Sequence, residues 1–304
     1  MSLPSRDDAH HRVLVTGSGG MLARDLIEQL TKSKISAVGL ARSKLDITRC
    51  EEATASIARI GPRMLVNCAA YSKVDKAESE PDLAFAANRD GPGHLAGICH
   101  DLGIPLIHIS TDYVFDGKAR HPYCEDDPVN PINVYGRSKW EGEEAIRSCL
   151  TKHLIVRTSW LFGSHGSNFV KTILRMAASG QDLRVVDDQR GCPTWTVDLS
   201  NALVEMIRRI IENPETILWG TYHYCGRDET TWYGFARAIL EIGSRKEAFE
   251  AKTPVPITTA DYPTPARRPA CSVLDCSKIR SAFGIAPRSW RLGLAEVIDE
   301  LSPV

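Results

Sequence analysis

The sequence predicts an α/β protein, a Rossmann-type doubly wound parallel sheet with a smaller C-terminal substrate domain. Three observations predict it. Short β-branched runs alternate with helical patterns through the first half of the chain, the order that a parallel sheet with crossover helices requires. The first run, Arg12-Val13-Leu14-Val15-Thr16, passes at once into the glycine turn Gly17-Ser18-Gly19-Gly20-Met21-Leu22-Ala23. After Trp160 the alternation weakens, so the remaining chain is expected to form a second, smaller unit over the crevice.

The first strand spans Arg12 to Thr16, and a helical pattern follows the glycine turn to about Lys32. Strand, glycine turn and helix are the context of a dinucleotide site. The spacing fits G-x-x-G-x-x-[GA] through Gly17, Gly20 and Ala23; it does not fit G-x-G-x-x-G, because Leu22 stands at the third glycine's place. Small residues here let backbone approach a pyrophosphate at the helix N-terminus. An ordinary tight turn is the alternative that glycines alone leave open. Ile35 to Leu40 reads as the second strand. No carboxylate closes it, although an acidic side chain there usually binds the ribose of NAD. Arg42-Ser43-Lys44 follows instead, placing cations where a 2′-phosphate would lie.

A helix from about Cys50 to Ile60 leads to a third strand, Met64 to Asn67, which ends in Asn67-Cys68-Ala69-Ala70. Small residues at that end leave room for a ligand. Tyr71 to Glu78 reads as a polar loop facing the same crevice. Pro81 opens a helix that runs past Gly91 and Gly93 to Leu102-Gly103. Ile104 to Ile109 is a fourth, buried strand with Thr111 at its end. The loop Phe115 to Asn133 delivers Tyr135 to a helix start, and that helix reaches about Leu150. Leu154 to Arg157 is the fifth strand, followed by Thr158-Ser159-Trp160. Beyond it come a helix (Asn168 to Ser179), a strand (Leu183 to Val186), a helix returning to the sheet (Asp198 to Glu212), a strand (Gly220 to Cys225), an irregular proline-rich segment (Pro254 to Pro269) and two short helices. The expected division is 12–160 with about 195–225 as the dinucleotide-binding domain, and 161–194 with 226–304 as the substrate domain. Residues 1–11 are expected to be disordered.

Tyr135 and Lys139 stand four positions apart, on one face of a helix. A lysine ammonium near a phenol favours the phenolate, and the lowered pKa makes the tyrosine a usable proton donor. Thr111 is placed to bond the substrate oxygen that Tyr135 protonates.

The chain has 304 residues, 43% of them hydrophobic, with a formal net charge of -1. That length and composition suit a sizeable core, and the charge gives no basis for binding nucleic acid or an anionic membrane. Nine scattered cysteines without a C-x-x-C pair argue for a reducing compartment and against a disulfide framework or structural zinc. No apolar run reaches the roughly 20 residues of a membrane helix, and Met1 to His11 lack a signal peptide's apolar centre. A cytoplasmic location is expected.

Together the glycine turn, Asn67-Cys68-Ala69-Ala70, Thr111 and the Tyr135/Lys139 pair resemble the extended short-chain dehydrogenases/reductases, which also share the interval from Thr111 to Tyr135. Longer stretches resemble the dTDP-4-dehydrorhamnose reductase family: Asn67 to Pro81, Ser110 to Gly117, Arg157 to Gly163, Asp188 to Thr194 and Ala266 to Pro269. The resemblance spans nearly the whole chain after His11. It implies catalysis by Thr111, Tyr135 and Lys139. It implies that Gly17, Gly20, Met21 and Leu22 hold the pyrophosphate, that Asp46 and Ile47 flank the adenine, and that Ala69, Ala70 and Tyr71 meet the nicotinamide side. Arg42 joins this cofactor set from its position after the second strand. Ser72, Val74, Tyr113 and Trp160 are implied to meet the sugar, and Arg267 to reach the nucleotide-linked diphosphate. Met21 and Ala23 depart from the family's usual glutamine and glycine, which bears on cofactor preference more than on binding. Cys68 departs from a common alanine and reads as a small core residue.

The implied reaction is NADPH-dependent reduction of the C4 ketone of a nucleotide-linked 4-keto-6-deoxy sugar, dTDP-4-dehydro-L-rhamnose to dTDP-L-rhamnose, in dTDP-rhamnose and cell-surface polysaccharide synthesis. NADH is a second acceptable cofactor. Some relatives hold magnesium, but no spacing here defines a ligand set for it. A homodimer is an expected assembly. Two alternatives stay open: a nucleotide-sugar epimerase or dehydratase of the same superfamily, which would retain its nicotinamide between turnovers, and a non-catalytic regulatory subunit like the β-subunit of methionine adenosyltransferase. Trp160 speaks against the regulator, which has little use for a sugar-stacking aromatic.

Overall fold

The computed structural model describes residues 12–245 and 252–301. The expectation of disorder for residues 1–11 lies outside them. Six strands form one sheet: β1 (Val13–Thr16), β2 (Ala37–Leu40), β3 (Met64–Asn67), β4 (Leu106–Thr111), β5 (His153–Thr158) and β6 (Gly220–His223). The order is β6-β5-β4-β3-β1-β2 and all neighbours pair in parallel. The order reverses beside β1, which makes the crevice at the carboxyl ends of β1 and β3 the switch point where such sheets bind ligands.

The inner strands β1, β3, β4 and β5 are buried on both faces, as parallel strands under helices must be, while the edge strand β2 is half-buried. Alternation sorts their side chains. Val13, Val15, Met64, Val66 and Ile107 pack under α1 (Met21–Lys32) and the helix Thr196–Glu212, and Leu14, Leu65, Leu106 and Ile155 pack on the other face. There they meet α2 (Cys50–Ile60), the last section of the helix from residue 81 to 102, and α5 (Val134–Cys149). That 81–102 helix, α4, has three sections: Pro81–Phe85, a π segment Ala86–Asp90, and Gly91–Leu102.

Toward the carboxyl ends of the strands this second face turns polar. Thr16 stands in register with Asn67, and Asn67 with His108. Ser110 stands in register with Arg157. Below α5, Glu143 is fully buried and accepts from Arg157 Nη2 at 2.7 Å, Arg147 Nη2 at 2.6 Å and Ser110 Oγ at 2.5 Å. Burial alone would raise the carboxyl pKa; Arg157, Arg147 and Ser110 together outweigh it and hold Glu143 below its ordinary range. Breaking such a buried pair typically costs about 3–5 kcal/mol.

A second core gathers Phe162, Trp195, Phe235, Ile239, Trp290 and Leu294 from α6 (Phe169–Ala178), α8 (Trp232–Gly243), α10 (Trp290–Leu301) and the segments between them. The helix Thr196–Glu212, α7, returns to the sheet as expected. So does α9 (Ser277–Phe283), whose Ile279 and Phe283 join the core under β1 and β3 although 226–304 was assigned to the substrate domain.

The helix read from Pro81 does run through Gly91 and Gly93 to Leu102, with the π segment before them. Three element readings need correction. Val74–Ser79 is a short helix, α3, and not a polar loop. Val255–Ile257, inside the proline-rich segment, is a strand that pairs in parallel with Arg184–Val186. Finally, α8 was not assigned at all; its Thr231 cap accepts from Gly234 N at 3.0 Å.

Candidate active site

The glycine turn shows why its residues are small. Gly17 has φ +67°, and a Cβ there would come within 2.7 Å of Ala69 N, so the turn lies directly on the chain leaving β3. Gly20 caps α1 with no side-chain bond, and the first turn of α1 carries no acidic residue. Its leading N–H groups and positive dipole end are therefore open to an anion.

This turn forms one wall of a cavity of about 790 Å³. Of the residues singled out in the sequence, the cavity brings together Gly17, Gly20, Met21, Leu22, Arg42, Asp46, Ile47, Ala69, Ala70, Tyr71, Ser72, Thr111, Tyr135, Lys139 and Trp160. A cavity of that size, with a pyrophosphate cradle at one wall and three proton-bearing side chains at another, fits a dinucleotide with a substrate beside it. Val74, Tyr113 and Arg267 do not line it. Val74 opens α3, Arg267 is exposed, and the Tyr113 ring meets Tyr135 edge-on at 5.9 Å.

Arg42 is exposed, and its Nε donates to Asp46 Oδ2 at 3.0 Å. Asp46 also accepts from Thr48 N and Thr48 Oγ1. Partial burial works to raise the Asp46 pKa, but the Thr48 and Arg42 contacts prevail and the carboxylate titrates below its ordinary range. A carboxylate thus does face this part of the cavity, delivered by the loop after β2 and neutralised by Arg42.

Asn133 caps α5 by accepting from Gly136 N at 2.7 Å, which sets Tyr135 in the first turn. The Thr111 hydroxyl lies beside the Tyr135 phenol and acts to lower its pKa. Thr111 Oγ1 donates to Asp112 Oδ1 at 3.1 Å and accepts from Tyr113 N at 3.2 Å. Lys139 is 2% exposed, and its Nζ lies 3.2 Å from His108 Nε2 and donates to Ile109 O at 2.7 Å.

These contacts correct one expectation. Burial pushes the Tyr135 phenol up to about 12, Thr111 opposes the rise, and Lys139 does not contribute. Burial also holds Lys139 down to about 8. The lysine is turned toward β4, so the phenol stays protonated and ready to donate.

Trp160 adopts φ +45°, unusual for a bulky residue, and stacks on Trp232 with ring centroids 3.6 Å apart. Gly191 makes room for the indole, since a Cβ there would lie 2.5 Å from it. Arg268 is committed to Asp75, with Nη2 2.6 Å from Oδ2, which leaves Arg267 as the exposed member of the arginine pair.

Several residues that shape the site escaped the sequence reading. Asn88, buried in the π segment, accepts from Tyr71 N at 2.8 Å and donates to Tyr71 O at 3.0 Å, pinning the loop after β3. Inserted π turns recur at functional sites. Asp112 is 3% exposed and is pushed up to about 7 by burial. Trp232 lies on the helix that went unassigned. For His108, a polar residue inside an otherwise apolar strand run was the available signal.

Among the described residues, one group brings three metal-ligand-type atoms within 4.8 Å of one another: Asp25, Glu28 and His165. Glu28 is already paired with Lys32 at 2.7 Å. The imidazole is a poor match for magnesium, which prefers oxygen donors. No helix among the described residues is long and apolar enough to cross a membrane.

Residues 11–302 match the family model described as the RmlD substrate binding domain. The chain is 44% identical to the dTDP-4-dehydrorhamnose reductase of Sinorhizobium fredii, covering 92% of this chain and 94% of that one. It is 42% identical to the dTDP-4-dehydrorhamnose reductase of Aggregatibacter actinomycetemcomitans, covering 94% and 98%. Among solved structures it resembles dTDP-4-dehydrorhamnose reductase from Bacillus anthracis in complex with NADP, with a TM-score of 0.88, 34% identity, and coverage of 95% and 99%.

Proposed function

The chain belongs to the RmlD substrate binding domain family, and from that membership we propose that it is an NADPH-dependent reductase of the C4 ketone of a nucleotide-linked 4-keto-6-deoxy sugar, converting dTDP-4-dehydro-L-rhamnose to dTDP-L-rhamnose. The observation that carries the reading is the meeting of Thr111, Tyr135 and Lys139 in one cavity with the open N-terminus of α1 and with Trp160.

In this reading Gly17, Gly20, Met21 and Leu22 hold the pyrophosphate, Asp46 and Ile47 flank the adenine, and Ala69, Ala70 and Tyr71 line the nicotinamide side. Arg42 exchanges Asp46 for the 2′-phosphate, which favours NADPH while NADH remains usable. The bound nicotinamide supplies a hydride to the ketone carbon. Tyr135 gives its hydroxyl proton to the oxygen as negative charge develops there, and Thr111 donates a second hydrogen bond to the same oxygen. The high pKa imposed by burial keeps that proton on Tyr135 until the oxygen becomes basic enough to take it. Lys139 orients the nicotinamide ribose. Ser72, Val74, Tyr113 and Trp160 meet the sugar, with the indole packed against its C–H face, and Arg267 reaches the diphosphate.

The reading assigns 12–160 with about 195–225 to the cofactor and 161–194 with 226–304 to the substrate, α9 within the latter stretch packing back onto the sheet. It includes a cytoplasmic enzyme that assembles as a homodimer. Magnesium has no step in it.

The test is to mix the protein with NADPH and dTDP-4-dehydro-L-rhamnose and follow the nicotinamide absorbance. Loss of absorbance with the nucleotide-linked sugar, and none with a free ketone of similar size, is the expected result. Equal turnover of the free ketone would refute the assignment.

A further inference from the structure

Behind Lys139 lies a chain of buried hydrogen bonds whose donors and acceptors can be assigned one after another. Asn67, fully buried at the end of β3, takes two donors on Oδ1: Ala69 N at 3.1 Å and Thr16 Oγ1 at 2.6 Å. A backbone N–H can only donate, so the atom facing Ala69 is the amide oxygen. The Asn67 NH₂ group is then the one facing His108 Nδ1, at 3.0 Å. Since that group can only donate, Nδ1 must accept, and the imidazole is neutral with its hydrogen on Nε2. Nε2 faces Lys139 Nζ at 3.2 Å. An ammonium offers three donors and no acceptor, so it would set N–H against N–H. An uncharged amine satisfies every contact: it accepts from His108 Nε2 and donates to Ile109 O at 2.7 Å.

We propose that Asn67 and His108 are positioning residues for Lys139: the Asn67 amide fixes the Nε2–H tautomer of His108, and that N–H favours the uncharged form of the Lys139 amine over the ammonium. The arrangement follows from the sheet, because register sets Thr16 beside Asn67 and Asn67 beside His108 on the face below α5. The other charged and titratable groups agree with it. Burial acts first to hold Lys139 down to about 8, while Glu143 on its own helix and Cys68 after β3 act to raise it. The Glu143 charge is largely matched by Arg157 and Arg147. Burial, then Lys139 and Arg147, keep His108 far below the ordinary histidine range, and so neutral. Tyr135 stands one turn earlier on α5. The consequence for turnover rests on the reading of Lys139 as a catalytic group; the tautomer and the lysine's charge do not.

The experiment is an NMR titration of the full chain, reading the ¹⁵N shifts of His108 and the ¹³Cε shift of Lys139, repeated on Asn67→Asp. That variant keeps an acceptor for Ala69 N and replaces the NH₂ group with a second acceptor, which calls for hydrogen on His108 Nδ1 and leaves Nε2 free to accept from an ammonium. In the parent, His108 should show hydrogen on Nε2 alone throughout pH 6–9, and Lys139 should lose its proton about two pH units below an ordinary lysine. In Asn67→Asp the lysine midpoint should rise by at least about one pH unit, the shift that a hydrogen bond of ordinary net strength supplies. The pH profile of kcat should move with it. Hydrogen on Nδ1 in the parent, or a Lys139 that keeps its charge above pH 9, overturns the proposal, and both are read on the parent even if the variant does not fold. A kcat profile that stays fixed while the lysine midpoint moves leaves the positioning intact and instead defeats the catalytic reading of Lys139.

Discussion

Tyr135 illustrates how burial and a neighbouring hydroxyl divide the work at a single residue. Burial raises its pKa to about 12 and Thr111 opposes the rise, so the phenol is held protonated, as the proposed role of proton donor requires. Tyr135→Phe keeps the ring contact with Tyr113 and removes the acid. Turnover should fall by about 10²–10⁴-fold, while NADPH affinity measured by fluorescence titration stays within about twofold of the parent. Near-parent turnover would remove Tyr135 from the mechanism. Arg42 makes a second residue-scale prediction. Its partner Asp46 holds it in place beside the cavity. Exchange of that partner for a 2′-phosphate makes a charge-assisted contact worth about 1.5–3 kcal/mol, so Arg42→Ala should raise KM for NADPH about ten- to a hundredfold and leave KM for NADH nearly unchanged. Steady-state kinetics with both cofactors decides this; a preference for NADH in the parent, unaltered in the variant, would contradict it.

At the scale of elements, the proposed substrate platform depends on how α8 and the Arg190–Gly191 strand frame Trp160. The indole is stacked on Trp232 from α8, and the missing side chain of Gly191 admits its edge. Gly191→Ala should therefore displace Trp160. Loss of kcat should approach the roughly 10²-fold cost of a 1 Å misplacement, with cofactor affinity intact, and unchanged kcat and KM would show that Trp160 is not a platform for the ring. The same elements mark where sequence reading reached its range. The glycine turn, β3 with its small residues, and Tyr135 with Lys139 were legible because each signal lies within a few consecutive residues. The helix α8 was not: Trp232, Tyr233, Gly234 and Phe235 are weak helix formers, and burial of Phe235 and Ile239 against Trp290 holds the segment helical instead. Val255–Ile257 was hidden by Pro256, which a two-stranded edge tolerates. The contact between His108 and Lys139 needs strand register and helix docking together, and neither can be read locally.

For the whole molecule, the cavity costs stability, and Asp112 shows how. Its carboxyl is buried beside the site and titrates at about 7, against about 3.9 for an unperturbed aspartate. A folded-state pKa above the unfolded value means that the ionised form destabilises the fold. That penalty is fully present above pH 7 and disappears as pH falls from about 7 toward 4. Asp112→Asn keeps the acceptor for Thr111 and removes the charge. Its melting temperature should exceed the parent's at pH 8 by at least about 2 °C, the shift expected for about 1 kcal/mol, and the gain should shrink by pH 5. An equal gain at both values, or a loss at pH 8, would mean that Asp112 is not a strained carboxylate.

The proposed mechanism delivers a hydride to C4 of a nucleotide-linked sugar, with Tyr135 supplying the proton. The most direct measurement uses NADPH deuterated at the transferable position, with dTDP-4-dehydro-L-rhamnose as substrate and product analysis by NMR and mass spectrometry. The account predicts one deuterium at C4 of dTDP-L-rhamnose for each NADPH consumed. A product that carries no label at C4, or a change in the sugar without net consumption of NADPH, would contradict it.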